Sequence, residues 1–202
     1  MNLDIARFRA AFKQGFADPH YQEQLRRPLQ AAHEQARHTL AREILSPRVS
    51  QSQFDAACAD AVTVLNVPGA FPAHWGQALE SALNDDEQRK QFTIRLNALL
   101  HIDQSIEKRF EGFAAVLTGL KLLDWPMVSV FPALVFPERF FMVNPASWPS
   151  EAGLKLPARP GWEAWRQSQR WAHQLKKELS ELAPADLLDV YALGNYLARP
   201  TD

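Results

Sequence analysis

Along most of the chain the apolar residues recur three and four positions apart, and outside residues 124–160 no stretch alternates with the period of two that a half-buried strand requires. That pattern predicts helices. Ile5, Phe8 and Phe12 mark one over residues 2–14, with Gly15 as its stop. Asp18-Pro19 supplies an N-cap and a first-turn proline for a second helix reaching about Leu45, striped by Leu25, Leu29, Ala32, Ala36 and Leu40. Pro28 is expected to kink that helix or split off its first turn, and Ser46-Pro47 to end it. A third helix starts near Ser50 or Ser52, uses Phe54, Cys58, Ala61 and Leu65, and stops at Val67-Pro68-Gly69. Further helices are expected over about 73–83, 85–100, 103–118, 161–182 and 184–197. Asp85, Asp86 and Asp103 signal starts, and Gly119 signals an end.

The texture changes at Asp124. Seven of the fourteen prolines fall between there and Pro160, and Trp, Phe, Val and Leu are abundant around them. So apolar a segment is no solvated linker, and it is expected to lie on the core as an irregular connector. Within it, Arg139–Val143 reads as a strand, five residues of aromatic and β-branched character. The fold class that follows is mainly α: a single compact helical domain over residues 1–202, with a proline-rich irregular segment and at most a small strand element.

Lys and Arg number 22 against 23 Asp and Glu, a net charge of −1, so bulk charge selects neither nucleic acid nor a membrane surface and any electrostatic partner must be read from local patches. The lone cysteine, Cys58, excludes an intrachain disulfide and a cysteine-based zinc site. Among Ala57, Ala61 and Val62 it reads as a small buried hydrophobe in a reducing compartment. The first residues carry charges throughout and lack the apolar run of a secretion signal. The longest apolar run, Met127–Phe136, is broken by Ser129 and Pro132 and falls far short of the ~20 residues that span a bilayer. The expectation is a cytoplasmic protein with no membrane contact.

No phosphate-binding glycine loop, dinucleotide-binding glycine pattern, HExxH, GxSxG or CxxC is present. The six histidines, His20, His33, His38, His74, His101 and His173, are scattered without metal-ligand spacing. The expectation is no metal, no cofactor and no catalytic residue.

Three segments carry a resemblance. They are Phe16-Ala17-Asp18-Pro19-His20-Tyr21 with Arg26 and Ala32-His33-Glu34; then Trp125-Pro126, Phe131-Pro132, Pro137-Glu138-Arg139-Phe140-Phe141 and Asn144-Pro145; then Asp186-Leu187-Leu188-Asp189-Val190. In this order, from about residue 16 to 190, they resemble a widespread family of bacterial proteins without an established activity. Its central stretch reads approximately Trp-Pro, Phe-Pro, then Pro-Asp-Arg-His-Met-Phe-Leu-Lys-Pro. The resemblance implies a mainly helical cytosolic protein and imports no chemistry. This chain departs from the pattern at Phe140 (His in the family), at Asn144 (Lys in the family) and at Tyr191–Gly194, where Gln-Ser-Phe-x-Trp is expected. If those polar residues serve a ligand, part of that site is altered here.

Two sets of residues are candidates. Arg26 and His33, seven apart, share a helix face, and with Arg139 they belong to the resembling segments. Together they suit a pocket for a small anion; alternatively, the arginines satisfy backbone carbonyls of the proline-rich segment. On the helix over 161–182, Arg166, Arg170, His173 and Lys177 follow at i, i+4, i+7 and i+11. They lie opposite a core stripe of Trp165, Trp171, Leu175, Leu179 and Leu182. Trp162 is expected beside this ridge, away from the core. Such a ridge meets an acidic partner, nucleic acid or protein, or is simply solvated. The residues thus read as an interaction or accessory protein rather than an enzyme, the alternative being an anion binder or enzyme built on Arg26, His33 and Arg139.

Overall fold

A helix leaves its first N–H groups without partners, and in this chain short polar side chains take them up. In the computed structural model, which describes residues 4–148 and 154–200, Asp4, Asp18, Asp85, Ser105, Asp124 and Asp186 each accept a hydrogen bond from the backbone at a helix start. The helices are α1 (Ile5–Ala11), α2 (Pro19–Tyr21), α3 (Arg27–Thr39), α4 (Arg42–Ser50), α5 (Phe54–Leu65), α6 (Ala73–Ala82), α7 (Asp86–His101), α8 (Ile106–Gly119), α9 (Trp125–Val135), α10 (Trp162–Glu178) and α11 (Leu187–Leu197). Among the described residues there is no strand, and no helix is long and apolar enough to cross a membrane. Residues 2–3 of the first expected helix and 149–153 of the proline-rich segment lie outside the described residues.

Four details depart from the sequence expectations. First, the segment opening the proline-rich region is a helix, α9, and every residue from Met127 to Val135 is buried. Pro126 sits in its first turn, where a missing N–H costs nothing, and Asp124 accepts from Met127 N at 2.7 Å. Ser129 and Pro132 lie inside it without ending it; the Ser129 hydroxyl donates to the Trp125 carbonyl four residues back (2.6 Å). A helix apolar on all sides belongs at a centre, and α3, α7, α8 and α11 surround this one.

Second, Arg139–Val143 forms no strand. Phe141–Val143 is fully buried with no neighbouring strand to bond it, so side chains complete its backbone. Gln169 on α10 accepts from Phe141 N (2.5 Å) and donates to Phe141 O (3.1 Å), and Ser129 Oγ accepts from Val143 N (2.8 Å). A side-chain amide thus takes the place of a ladder neighbour.

Third, the second expected helix does not run to Leu45. It ends at Thr39, and after Leu40 and Ala41 a new helix, α4, begins at Arg42 with Pro47 inside it. The break is held from outside, His101 Nε2 donating to the Leu40 carbonyl at 2.7 Å. Fourth, α8 ends at Gly119, but Lys121, not the glycine, takes the left-handed conformation (φ 59°).

Pro28 acts upstream of itself. It cannot donate to the carbonyl four residues back, and the turn before it widens into a π-helix over Gln22–Arg26, with Arg27 N–H bonding Gln22 O. The extra residue changes the phase of everything before Arg27 relative to α3.

Gly194 on α11 faces Trp148 closely enough that an added Cβ would overlap the indole. Gly194→Ala is therefore expected to lower stability by about 1–3 kcal/mol through overpacking. Gly119→Ala, which would meet nothing within 4 Å, is the control and is expected to be neutral or slightly stabilising. Thermal melts followed by circular dichroism check both.

Candidate functional site

Arg26 is 8% exposed, where an ideal helix places it at the rim of the apolar stripe. The π turn brings it inward, against the start of α11. There its two terminal nitrogens grip Asp186 in a two-pronged pair (both 2.6 Å), with further bonds to Asp189 (3.2 Å) and Gln30 (3.1 Å). Asp189, 1% exposed, also accepts from the Tyr21 hydroxyl (2.5 Å) and from Ala185 N (2.6 Å). Burial pushes the Asp186 carboxyl up, but the Arg26 fork outweighs it and leaves Asp186 below its ordinary value of 3.8. At Asp189 burial prevails over Arg26 and Tyr21, and its carboxyl stands above that value. Burial and the adjacent Asp189 charge hold the Tyr21 phenol far above its ordinary range, so it remains a donor. Tyr21, Asp186 and Asp189 were not among the candidate residues expected from the sequence.

His33 does not join this cluster by contact. Its Nδ1 donates to the Leu134 carbonyl (2.6 Å), one of the acceptors α9 leaves free at its end. Arg139 goes elsewhere again. It is exposed, with its guanidinium 5.7 Å from the Phe136 ring and 5.3 Å from the Phe140 ring, and it turns toward α10.

There it meets the basic ridge. Arg139, Phe140, Ile106, Trp162, Trp165, Arg166, Gln169, Arg170, His173 and Lys177 line one groove of about 370 Å³ between α8, the turn after α9, and α10. The floor is aromatic: Trp165 stacks between Phe110 (5.1 Å) and Phe140 (5.5 Å). Trp162 corrects the expectation that it stands away from the core. It is half-buried, its ring 5.5 Å from Trp165 and 6.0 Å from Phe110, because an indole at the first turn of α10 is long enough to lean back over the groove. Arg170 and Lys177 are exposed, as the helical period places them, while Arg166 and His173 are half-buried. In the core stripe Trp165, Leu175, Leu179 and Leu182 are buried; Trp171 is half-buried, with its edge on Trp148 (4.8 Å).

The rim is positively charged. Arg166 is offset by Glu163 (2.7 Å), but Arg139, Arg170 and Lys177 make no ion pair among the described residues. Arg109 adds to the field. Burial first, and the nearby Arg139 charge second, pull its pKa below the ordinary arginine value. Its Nε and the Trp165 indole N–H are buried without hydrogen-bond partners among the described residues. His173 Nε2 donates to the Arg139 carbonyl (3.1 Å), tying the turn to α10. Phe140, Ile106 and Gln169 are groove residues that the sequence did not mark as a site. Phe140 stands in one of the segments singled out in the sequence; the others carried no signal.

Cys58, the one thiol, is buried beside Thr93 Oγ1 (3.4 Å), and burial pushes its pKa up, so it is not poised as a nucleophile. Among the described residues no three His, Cys, Asp or Glu side chains are grouped to hold a metal ion. No family profile, curated protein or solved structure matches this chain.

Proposed function

We propose that this chain is a non-catalytic interaction protein, acting in the cytoplasm, whose working surface is the α8/α10 groove, and that it docks an acidic segment of a protein partner there. One observation carries the reading: half-buried aromatic faces, Phe140 and Trp162, lie within a cationic rim supplied by two separate elements, of which Arg139, Arg170 and Lys177 form no ion pair among the described residues. A solvated helix face needs no aromatic floor. Rings beside unpaired cations suit a ligand that offers both apolar surface and negative charge. The alternative anion pocket draws no support from Arg26, whose terminal nitrogens are already bonded to Asp186, Asp189 and Gln30.

The test is fluorescence anisotropy with a labelled ten-residue peptide of alternating Asp and Leu. A Lys/Leu peptide and labelled oligo-dT and oligo-rU serve as competitors for the reading. The wild type is expected to bind the acidic peptide, more weakly as salt rises. The exposed double variant Arg170→Glu/Lys177→Glu should lose about tenfold or more of that affinity. Tighter binding of either oligonucleotide would make the groove a nucleic-acid surface. Binding of no probe, or equal binding by the variant, would leave it a solvated face.

A further inference from the structure

We infer that the groove is one half of a longer track: it continues across Phe136 and Arg139 into a second hollow at the α3–α4 break, so the partner segment is extended, acidic, and carries two apolar anchors. The inference rests on the proposed docking role of the groove. The second hollow, about 450 Å³, is lined by Arg37, Arg42, Glu43, Leu100, His101 and Phe136, among others. Arg37 and Arg42 are exposed and, like Arg139, Arg170 and Lys177 of the groove, form no ion pair among the described residues.

Two independent features mark the hollow as a contact surface. The exposed large hydrophobic residues among the described ones are Ile44 (37%) and Ile102 (40%), and each directly follows a lining residue, Glu43 and His101. Neither isoleucine lines the hollow itself; each stands one residue from its wall, where it can flank a bound segment. Charge is also segregated. The chain as a whole carries −1, yet the linings of the two concavities hold Arg37, Arg42, Arg139, Arg166, Arg170 and Lys177 against one carboxylate, Glu43, with Glu163 paired to Arg166 and Glu107 close to it.

The walls of the two concavities touch through the Phe136–Phe140 ring pair. Phe136 lines the hollow, Phe140 lines the groove, and the Arg139 guanidinium lies over both rings. Ring to ring the route runs His101–Phe136 (6.1 Å), Phe136–Phe140 (6.3 Å), Phe140–Trp165 (5.5 Å) and Trp165–Trp162 (5.5 Å). An extended chain rising about 3.3 Å per residue covers that route in roughly seven residues. Its alternate side chains point to opposite sides, so apolar anchors fall into the concavities while carboxylates reach the rim. Aliphatic rims and interleaved glutamates fit such a peptide better than a run of phosphates, which would meet Glu43 and Glu163 along the way.

The experiment compares the ten-residue Asp/Leu peptide with a four-residue version, too short to reach both concavities, against Arg42→Glu and Ile102→Ser. Both positions are exposed, and far-ultraviolet circular dichroism confirms that each variant is folded. The long peptide is expected to lose about fivefold or more in each variant while the short one is unchanged. If the long peptide ignores both variants but still loses affinity in Arg170→Glu/Lys177→Glu, the second hollow is not used and the groove reading survives. If Arg42→Glu weakens both peptides equally, the effect is a general field and the track is overturned. If neither peptide binds the wild type, the groove reading falls and the track with it.

Discussion

Replacing Arg26 by alanine is expected to destabilise the protein by about 3–5 kcal/mol, the penalty for leaving buried carboxylates without their counter-charge. Asp186 and Asp189 are 5% and 1% exposed, and Arg26 is the cation bonded to both. The loss is expected as a shifted midpoint in urea denaturation followed by circular dichroism. The double variant Arg26→Ala/Asp186→Ala should cost less than the sum of the two single changes, because it removes charge and counter-charge together. The pH dependence has a definite sign. Arg26 holds Asp186 below 3.8, so the stabilisation is present above that value and disappears as pH falls through the lower folded-state pKa. Asp189, held above 3.8 by burial, works in the opposite sense: its native carboxyl takes up a proton before the unfolded one does, which favours folding in acid. Arg26 pulls both carboxyls down, so its removal raises both, and the difference between wild type and Arg26→Ala shrinks as they are protonated in acid. A difference that stays constant from pH 7 to 3 would contradict the ionic origin of the effect.

Gln169→Leu is the second large effect expected, about 2–5 kcal/mol. The side chain is of similar size, so packing is nearly preserved and the change falls on hydrogen bonding. It orphans Phe141 N and Phe141 O together, in a segment that is fully buried and has no strand beside it. Each buried unsatisfied backbone group costs about 1–3 kcal/mol. Gln169→Glu discriminates the cause. Its carboxylate can still accept from Phe141 N but cannot donate to Phe141 O, so near neutral pH it should recover part of the loss at most. Denaturant midpoints of the three proteins measure this. If Gln169→Leu were as stable as the wild type, the amide would not be the ladder substitute that the distances indicate.

Gln169 also shows where reading by sequence stops. Its position on α10 follows from the helical period, but nothing in the period says that an amide here will complete a backbone 28 residues away. The same holds for Arg26. Its partner Asp186 is 160 residues distant, and the π turn that carries it inward arises from Pro28, whose absent N–H was legible while its consequence for phase was not. Arg139 belongs to the same segment pattern as Arg26 and His33, yet its side chain joins the basic ridge of α10. Short motifs record which residues occur together along a chain, not which concavity each side chain enters.

What the sequence determined by itself is local. Apolar spacing and capping residues set where most helices start and stop, and helical phase put Arg170 and Lys177 on an exposed face opposite the buried Trp165, Leu175, Leu179 and Leu182. These depend on hydrogen bonds and neighbours within a few residues, which the order of side chains encodes directly. The tertiary structure decided the rest. It made a helix of the first part of the proline-rich segment, since an all-apolar stretch is most stable surrounded on every side. It left Phe141–Val143 extended without a strand partner and gave it side-chain partners instead. It also gathered the cations of α10 with Arg139 around one aromatic floor. Those outcomes depend on what packs against each element, and burial is a property of the assembled chain rather than of any window along it.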